Sequence, residues 1–415
     1  MSTVNPTKIA ILGAGPIGLE AALYARFLGY EVTLFEQGEV GQNISEWGHV
    51  KMFSPFSMNA SSLGIAALTA QDEDFKPPEA DDLLTGREYR ERYLLPLSQS
   101  DLLSGHIQTR TKVIGIARAG SLKHEFVGHP SRGDAKFCLL TENEQGDEIY
   151  AEADIVIDST GTWNQPRRLG PSGLPAIGER SLHNAIEYHI PDLCSPASNY
   201  EDCHTVVIGN GYSAATTVVS LLALTKDSPK TQISWVTRRP EIAPIGTIDN
   251  DPLSERRNLT SAANQAATES PRVNYLAGYS VSAIRETNSD QLEVCLNGTD
   301  EQTLQVDRII ANVGFKPDMT MLSELQLHKC YATDGPMKLA ALLLSSATND
   351  CMSQPETQSN SLITTEPNFY ILGSKSYGRN SQFLIALGLT QIQELFTVIA
   401  DRHDLNLYST IGHSA

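Results

Sequence analysis

The chain has 415 residues, room for two or three domains of about 150 residues each. Hydrophobic residues make up 40 % and charged residues 19 %, a globular composition with apolar material for real cores. Lys and Arg number 31 against 49 Asp and Glu, and the net charge of −18 argues against nonspecific nucleic-acid binding and docking on an anionic membrane. A local basic pocket for a phosphate is still allowed.

In chain order, residues 1–8 show no basic region, apolar stretch of signal length or small-residue cleavage site. No apolar run reaches the roughly 18–20 residues of a membrane span, so a soluble cytoplasmic protein is expected. Residues 8–12 read as a buried strand that runs into glycines and a helical pattern, and 30–36 as a second parallel strand. Residues 40–80 look irregular, and 86–97 carry apolar residues at helical spacing. Strands are expected at 106–117, 136–142 and 148–158, with a turn at 143–147, and the last strand ends in a tight turn at Gly161. The Pro- and Gly-rich stretch 164–175 suits a crossing between domains. Residues 205–215 then repeat the opening pattern, followed by a strand at 232–239, a polar insertion at 240–270 and a strand ending in a glycine turn at 308–317. A buried helix is expected at 339–344, a surface loop at 346–366, a strand at 368–373 and an amphipathic helix over 380–403 with an Asn/Ser start signal. The six cysteines, Cys138, Cys194, Cys203, Cys295, Cys330 and Cys351, form no C-x-x-C pair and no zinc spacing, and read as free thiols.

Gly13-Ala14-Gly15-Pro16-Ile17-Gly18 is G-x-G-x-x-G between a strand and a helix. The first glycine permits the tight turn, the second lets a pyrophosphate approach the backbone, and the third lets helix pack on strand. The helix N-terminus offers unpaired N–H groups to the phosphates. Glu36 ends the next strand, where a carboxylate accepts ribose hydroxyls. Gly209-Asn210-Gly211-Tyr212-Ser213-Ala214 repeats the motif with alanine in the tolerated third place. Here the second strand ends in Arg238 and Arg239, guanidinium groups that suit a 2′-phosphate and hence NADPH. Ser213 either reaches the pyrophosphate or caps the helix. An acid-ended site for FAD and an arginine-ended site for NADPH in one chain point to hydride transfer from nicotinamide to flavin.

This order of parts resembles the flavin-containing monooxygenases and their relatives in the two-dinucleotide-binding flavoprotein superfamily. The matching pieces are both fingerprints, residues 158–166 with Thr160 and Gly161, residues 311–318 with Gly314, and more loosely the strand ending at Gly373. The resemblance implies an α/β fold of two nested Rossmann-like dinucleotide-binding domains. The FAD-binding domain would take residues 1–165 and 318–415, and the NADPH-binding domain 166–317. It implies an NADPH-oxidising monooxygenase that acts through a C4a-(hydro)peroxyflavin, with O2, on a small N-, S- or carbonyl-containing substrate. The family places an asparagine near flavin C4a; Asn59 is the candidate by order along the chain, with Trp47, His49 and Ser54 lining the same region. The family motif F-x-G-x-x-x-H is represented by residues 176–183, without the phenylalanine and with four residues between Gly178 and His183. The aspartate that the superfamily carries after its last strand glycine is absent. Lys375, Tyr377 and Arg379 follow Gly373 instead, either touching flavin or an anionic substrate or forming an exposed basic loop. A helix from about Ser381 would aim its N-terminus at the flavin. The cysteine spacings of thioredoxin and glutathione reductases are missing, which argues against a dithiol mechanism. Two other readings stay open: a reductase passing electrons to a quinone, small acceptor or partner protein, and a flavin-binding sensor. Dimers are common for such folds.

Overall fold

Four of the five residues in the strand Lys8–Leu12 are buried, as a central parallel strand covered on both faces requires. In the computed structural model, which describes residues 6–193, 195, 199–288, 291–346, 350–355 and 357–411, this strand centres a five-stranded parallel sheet. The strand order is Phe369–Ile371, Ile155–Asp158, Lys8–Leu12, Glu31–Phe35, Ile107–Gln108. Alternate residues face different layers. Ile9 and Ile11 pack with the helix Pro16–Phe27, while Ala10 and Leu12 pack with Ile116, Phe137 and Leu139 of an antiparallel sheet. That second sheet pairs Thr111–Arg118, Phe137–Asn143 and Glu148–Ala153. These elements belong to a compact unit formed by Met1–Gln165 and Lys316–Ala415.

The second compact unit, Pro166–Phe315, has the same plan. Its parallel sheet runs Val273–Ala277, Gln232–Thr237, His204–Ile208, Arg308–Ala311, Ile186–Glu187. Val207 packs with Ala214, Val218 and Ala263 of the helices Tyr212–Leu224 and Ser254–Glu269. Val206 and Ile208 pack with Val281, Val294 and Leu296 of the antiparallel sheet Ser280–Glu286, Leu292–Asn297, Glu301–Val306. In both units the glycine-ended strand is central, and the antiparallel sheet is inserted before the fourth strand. The fifth strand comes from the C-terminal region in the first unit and from the start of the second. The α/β class expected from the sequence is observed.

The insertion point is narrow. Lys316 N donates to Gln165 O at 2.9 Å in the first unit. Arg167 N donates to Gly314 O at 2.9 Å in the second, where Pro166 and Phe315 form an antiparallel bridge.

Several local expectations are corrected. Residues 148–158 form two strands in different sheets; at the switch Asp154 N donates to Lys8 O (2.9 Å) and Lys8 N to Asp154 Oδ2 (2.8 Å). Residues 40–80 include the ten-residue helix Ser62–Gln71, started by Ser61, whose hydroxyl accepts from Gly64 N. The polar insertion 240–270 holds the 16-residue helix Ser254–Glu269. The late helix runs only over Ile385–Ile399, because Asn380 Oδ1 accepts from Gln382 N and closes a turn instead of a helix. The stretch 346–366 ends inside the protein: Glu366 is fully buried between Arg118 and Arg132, with Arg118 Nε at 2.8 Å and Arg132 Nη2 at 3.0 Å. Cys138, Cys203, Cys295, Cys330 and Cys351 are free; Cys194 lies outside the described residues. Among the described residues no helix is long and apolar enough to cross a membrane.

Candidate functional site

The first glycine loop is built by close approach. Gly13 has φ +94, and a Cβ there would lie 3.0 Å from Ser159 O. A Cβ on Gly18 would lie 1.8 Å from Gly13 O, so helix and loop touch through bare backbone. Gly15, between them, has nothing within 4 Å: its face is open space where a ligand backbone could pass. Pro16 starts the helix with Gly15 as N-cap and no side-chain cap, leaving its first-turn N–H groups without side-chain acceptors. Glu36 closes the loop from the next strand. Its Oε2 accepts from Ala14 N (2.7 Å) and its Oε1 from Gly38 N (2.9 Å). Burial raises its carboxyl above the usual range against these hydrogen bonds.

A cavity of about 360 Å³ opens beside this loop. Its walls are Gly13, residues 35–37, Asn43, residues 111–114, Thr160–Thr162, Asn164, Gln165, Asp318, Thr320, Met321 and Lys375, with Leu12 at the base. Beneath it Asp158, 0 % exposed, ends the fourth strand. Its Oδ1 accepts from Thr160 N (3.1 Å) and Thr160 Oγ1 (2.7 Å), and its Oδ2 meets Lys375 Nζ at 2.6 Å. Lys375 also donates to Thr160 Oγ1 at 3.0 Å and is 1 % exposed. Asp318 is desolvated, but hydrogen bonds from Thr320 and the Lys375 charge outweigh that and hold its carboxyl below the usual range. Gly373 (φ +71) packs against Ile17 and donates from its N to Gln391 Oε1 at 2.8 Å. The open face at Gly15, the carboxylate of Glu36 and the adjoining cavity fit the adenosine-diphosphate half of a dinucleotide.

The exposed basic loop considered after Gly373 is not what forms. Lys375 and Tyr377 are buried, and Arg379 is half exposed with its Nε 2.6 Å from Asp334. Asn59 is 3 % exposed and commits both amide donors to its own loop, Ser54 O at 3.0 Å and Pro55 O at 2.9 Å. Its Oδ1 accepts from Ser54 Oγ at 3.0 Å. The structure therefore brings Ser54 and Asn59 together, as a closed loop rather than as a free amide. Trp47 packs on Gly86, where a Cβ would lie 2.7 Å from its ring. His49 keeps a buried Nε2 without a hydrogen-bond partner. None of these four lines the cavity.

In the second unit, Gly209 has φ +136 and a Cβ there would lie 2.2 Å from Asn312 O, while Gly211 has nothing within 4 Å. Ala214 is fully buried against the strand. Gly211 is the N-cap of the helix Tyr212–Leu224, so Ser213 stands exposed within the first turn and the capping alternative falls away. Asn210 is exposed beside it. Arg238 and Arg239 are exposed at the end of the second strand, Arg239 within 3.8 Å of Glu241. A Cβ on Gly314 (φ +80) would lie 4.0 Å from the Arg167 guanidinium.

Sequence reasoning missed two residues here. Trp235, buried in the second strand, donates from Nε1 to Gly209 O at 2.8 Å and pins the loop. In the segment 176–183 the buried player is Glu179, which accepts from Leu169 N (3.1 Å), Ala176 N (2.7 Å) and the Tyr188 hydroxyl (2.9 Å). His183 is exposed and packs its ring on Tyr188 at 5.3 Å. A lone glutamate among Gly and Pro gives no sequence signal for such a knot.

The family model for pyridine nucleotide-disulphide oxidoreductases matches residues 10–338. A flavin-containing monooxygenase of Arabidopsis thaliana, FMO GS-OX-like 9, is 24 % identical over 237 residues, 53 % of this chain and 49 % of that protein. The chain thus spans about half the length of that relative. A ferredoxin–NADP reductase of Leuconostoc citreum is 22 % identical over 389 residues, 92 % of this chain and 87 % of that protein. Among solved structures, the bacillithiol disulfide reductase Bdr of Bacillus cereus superposes with a TM-score of 0.66 at 18 % identity, covering 96 % of this chain and all of that one, which shows the shared fold.

Proposed function

The chain belongs to the pyridine nucleotide-disulphide oxidoreductase family, and from that premise we propose that it is an FAD-dependent, NADPH-oxidising monooxygenase of a small N-, S- or carbonyl-containing substrate. The observation that carries this reading is the pair of glycine loops with opposite strand ends: Glu36 tied under the first, Arg238 and Arg239 exposed beside the second. FAD, when bound, supplies hydride acceptance from NADPH and the activation of O2.

The residues present fit that pair of cofactors. Gly13, Gly15 and Gly18 bring the backbone to the FAD pyrophosphate, Ala14 anchors Glu36 for the ribose, and Pro16 and Ile17 open the helix whose N–H groups face the phosphates. Thr160 and Gly161 line the cavity, and Gly373 packs beside Ile17 of the same helix. On this reading Met1–Gln165 with Lys316–Ala415 is the FAD-binding domain and Pro166–Phe315 the NADPH-binding domain, the compact units dividing two residues before the expected start at 318. Gly209, Gly211 and Ala214 repeat the loop for NADPH, Asn210, Tyr212 and Ser213 flank its pyrophosphate, and the two arginines take the 2′-phosphate. Gly314 O accepts from Arg167 N where the chain enters this unit. We assign Asn59 and Ser54 to holding their loop in shape, Trp47 to packing it, and His49 to the same region, with its buried Nε2 left without a hydrogen-bond partner. No C-x-x-C pair exists for a dithiol step, and the proposed setting is the cytoplasm.

The second reading is a reductase that passes electrons to a small or protein acceptor, favoured by the match to the ferredoxin–NADP reductase over 92 % of the chain. One experiment separates the two. The purified flavoprotein is given NADPH and 18O2 with a panel of amines, thioethers and ketones, and products and peroxide are measured. The monooxygenase reading expects 18O in one product class with NADPH consumed in step. NADPH oxidation that yields only peroxide, and accelerates with quinones or ferredoxin, would replace it with the reductase.

A further inference from the structure

Gly373, the last strand glycine, is followed here by Ser374 and Lys375. Lys375 is 1 % exposed, yet it lines the cavity beside Gly13 and Glu36. An ammonium carries three N–H donors. Two have partners, Asp158 Oδ2 at 2.6 Å and Thr160 Oγ1 at 3.0 Å, and the third remains for a group in the cavity.

Glu36 and Asp318 line the cavity and Asp158 lies beneath; the cations are Lys112, which is exposed, and Lys375, which is not. A diphosphate entering this wall meets a surplus of carboxylates. The glycine loop cannot offset that alone: Ala14 N is already committed to Glu36, and Pro16 has no N–H. A desolvated anion in such a place needs a fixed cation.

Building on the assignment of this cavity to FAD, we propose that Lys375 is a phosphate-binding residue. Asp158 and Thr160 hold its ammonium in place, and its third donor meets the diphosphate of the cofactor. Asp158 is then a positioning residue, and the buried pair is a preset anion site rather than only a structural ion pair.

The test titrates apoprotein with FAD by flavin fluorescence, with ADP and adenosine as competitors, for the native chain, Asp158→Asn and Asp158→Asn/Lys375→Met. Removing both charges leaves no buried unpaired ion, so a purely structural pair predicts native affinity in the double variant. The proposal predicts FAD and ADP binding weaker by about 10- to 100-fold in the double variant, with adenosine unchanged. It also predicts FAD binding at least as tight as native in Asp158→Asn, whose amide oxygen still accepts from the ammonium and holds it in place but no longer shares its charge. Native-like FAD affinity in the double variant overturns the proposal; so does weakened FAD binding in Asp158→Asn, which decides the matter even if the double variant fails to fold. A native chain that does not take up FAD at all refutes the assignment of the cavity itself.

Discussion

Two loops in this chain solve one problem with different tethers. In the first unit the second strand ends in Glu36, which reaches back to Ala14 N and occupies the strand end. In the second, the tether comes from inside the strand: Trp235 donates to Gly209 O, and the strand end is left to Arg238 and Arg239. On the proposed assignment of the two cofactors, preference and loop geometry are coupled in the first unit and separate in the second. The third motif position differs as well. Gly18 has no room for a methyl group, while Ala214 is buried with its own methyl in place.

The largest expected effect breaks the first loop. Gly18→Ala drives a methyl group into Gly13 O and is expected to cost roughly 3 kcal/mol or more of stability and to yield colourless protein. The mirror change, Ala214→Gly, is expected to cost only about 1 kcal/mol, the helix cost of glycine, with flavin retained. Thermal melts and flavin absorbance read both. Next, Arg238→Ala/Arg239→Ala is expected to raise KM for NADPH by about 10- to 100-fold and leave NADH almost unchanged. A persisting preference for NADPH would remove the arginines from the site. Trp235→Phe deletes one hydrogen bond and leaves a cavity where the larger indole is buried, so a loss of roughly 2 kcal/mol and a KM for NADPH a few-fold higher are expected, with FAD content unaltered.

The smallest effect sharpens a contrast between the two helices. Seven residues after the first glycine, the first unit carries Glu20 and the second Thr216. Glu20 is buried, and burial raises its carboxyl above the ordinary range despite hydrogen bonds from the Tyr93 and Ser61 hydroxyls. The folded protein therefore keeps Glu20 protonated at pH values where the unfolded chain has ionised it. Its contribution to stability falls as pH rises through that window. Glu20→Gln is expected to match the native Tm near pH 4 and to exceed it by a few degrees near pH 8. A pH-independent difference would show that Glu20 is already ionised when folded. The corresponding Thr216→Val should show no pH dependence, since Thr216 Oγ1 only donates back to Tyr212 O within its own helix.

The α/β plan was legible because its signals are local. The run 8–12 reads as a strand from five residues, and the repeated glycine loops announce two similar units. What escaped depends on distant partners. The switch at Asp154 is set by Lys8, 146 residues away, and the burial of Lys375 by Asp158 and Thr160, over 200 residues earlier in the chain. Asn59 shows the opposite limit. Its order along the chain suggested an amide facing a ligand, but the closest acceptors are the carbonyls of Ser54 and Pro55, within its own turn. The second antiparallel sheet, Ser280–Val306 in extent, went unread because short alternating strands in a polar stretch mimic loop composition.

The narrow insertion point has an evolutionary and practical consequence. Gln165 and Lys316 already share a hydrogen bond, so the chain that enters and leaves the Pro166–Phe315 unit does so at one spot. A turn of about two residues could join them in place of the whole 166–315 segment, at little loop-closure cost. The same adjacency lets the excised segment be closed on itself and reopened elsewhere as a circular permutant. The nested architecture is in this sense a cassette: its contents can be lost, exchanged or duplicated by recombination at a single junction without reopening the sheet that carries the first glycine loop.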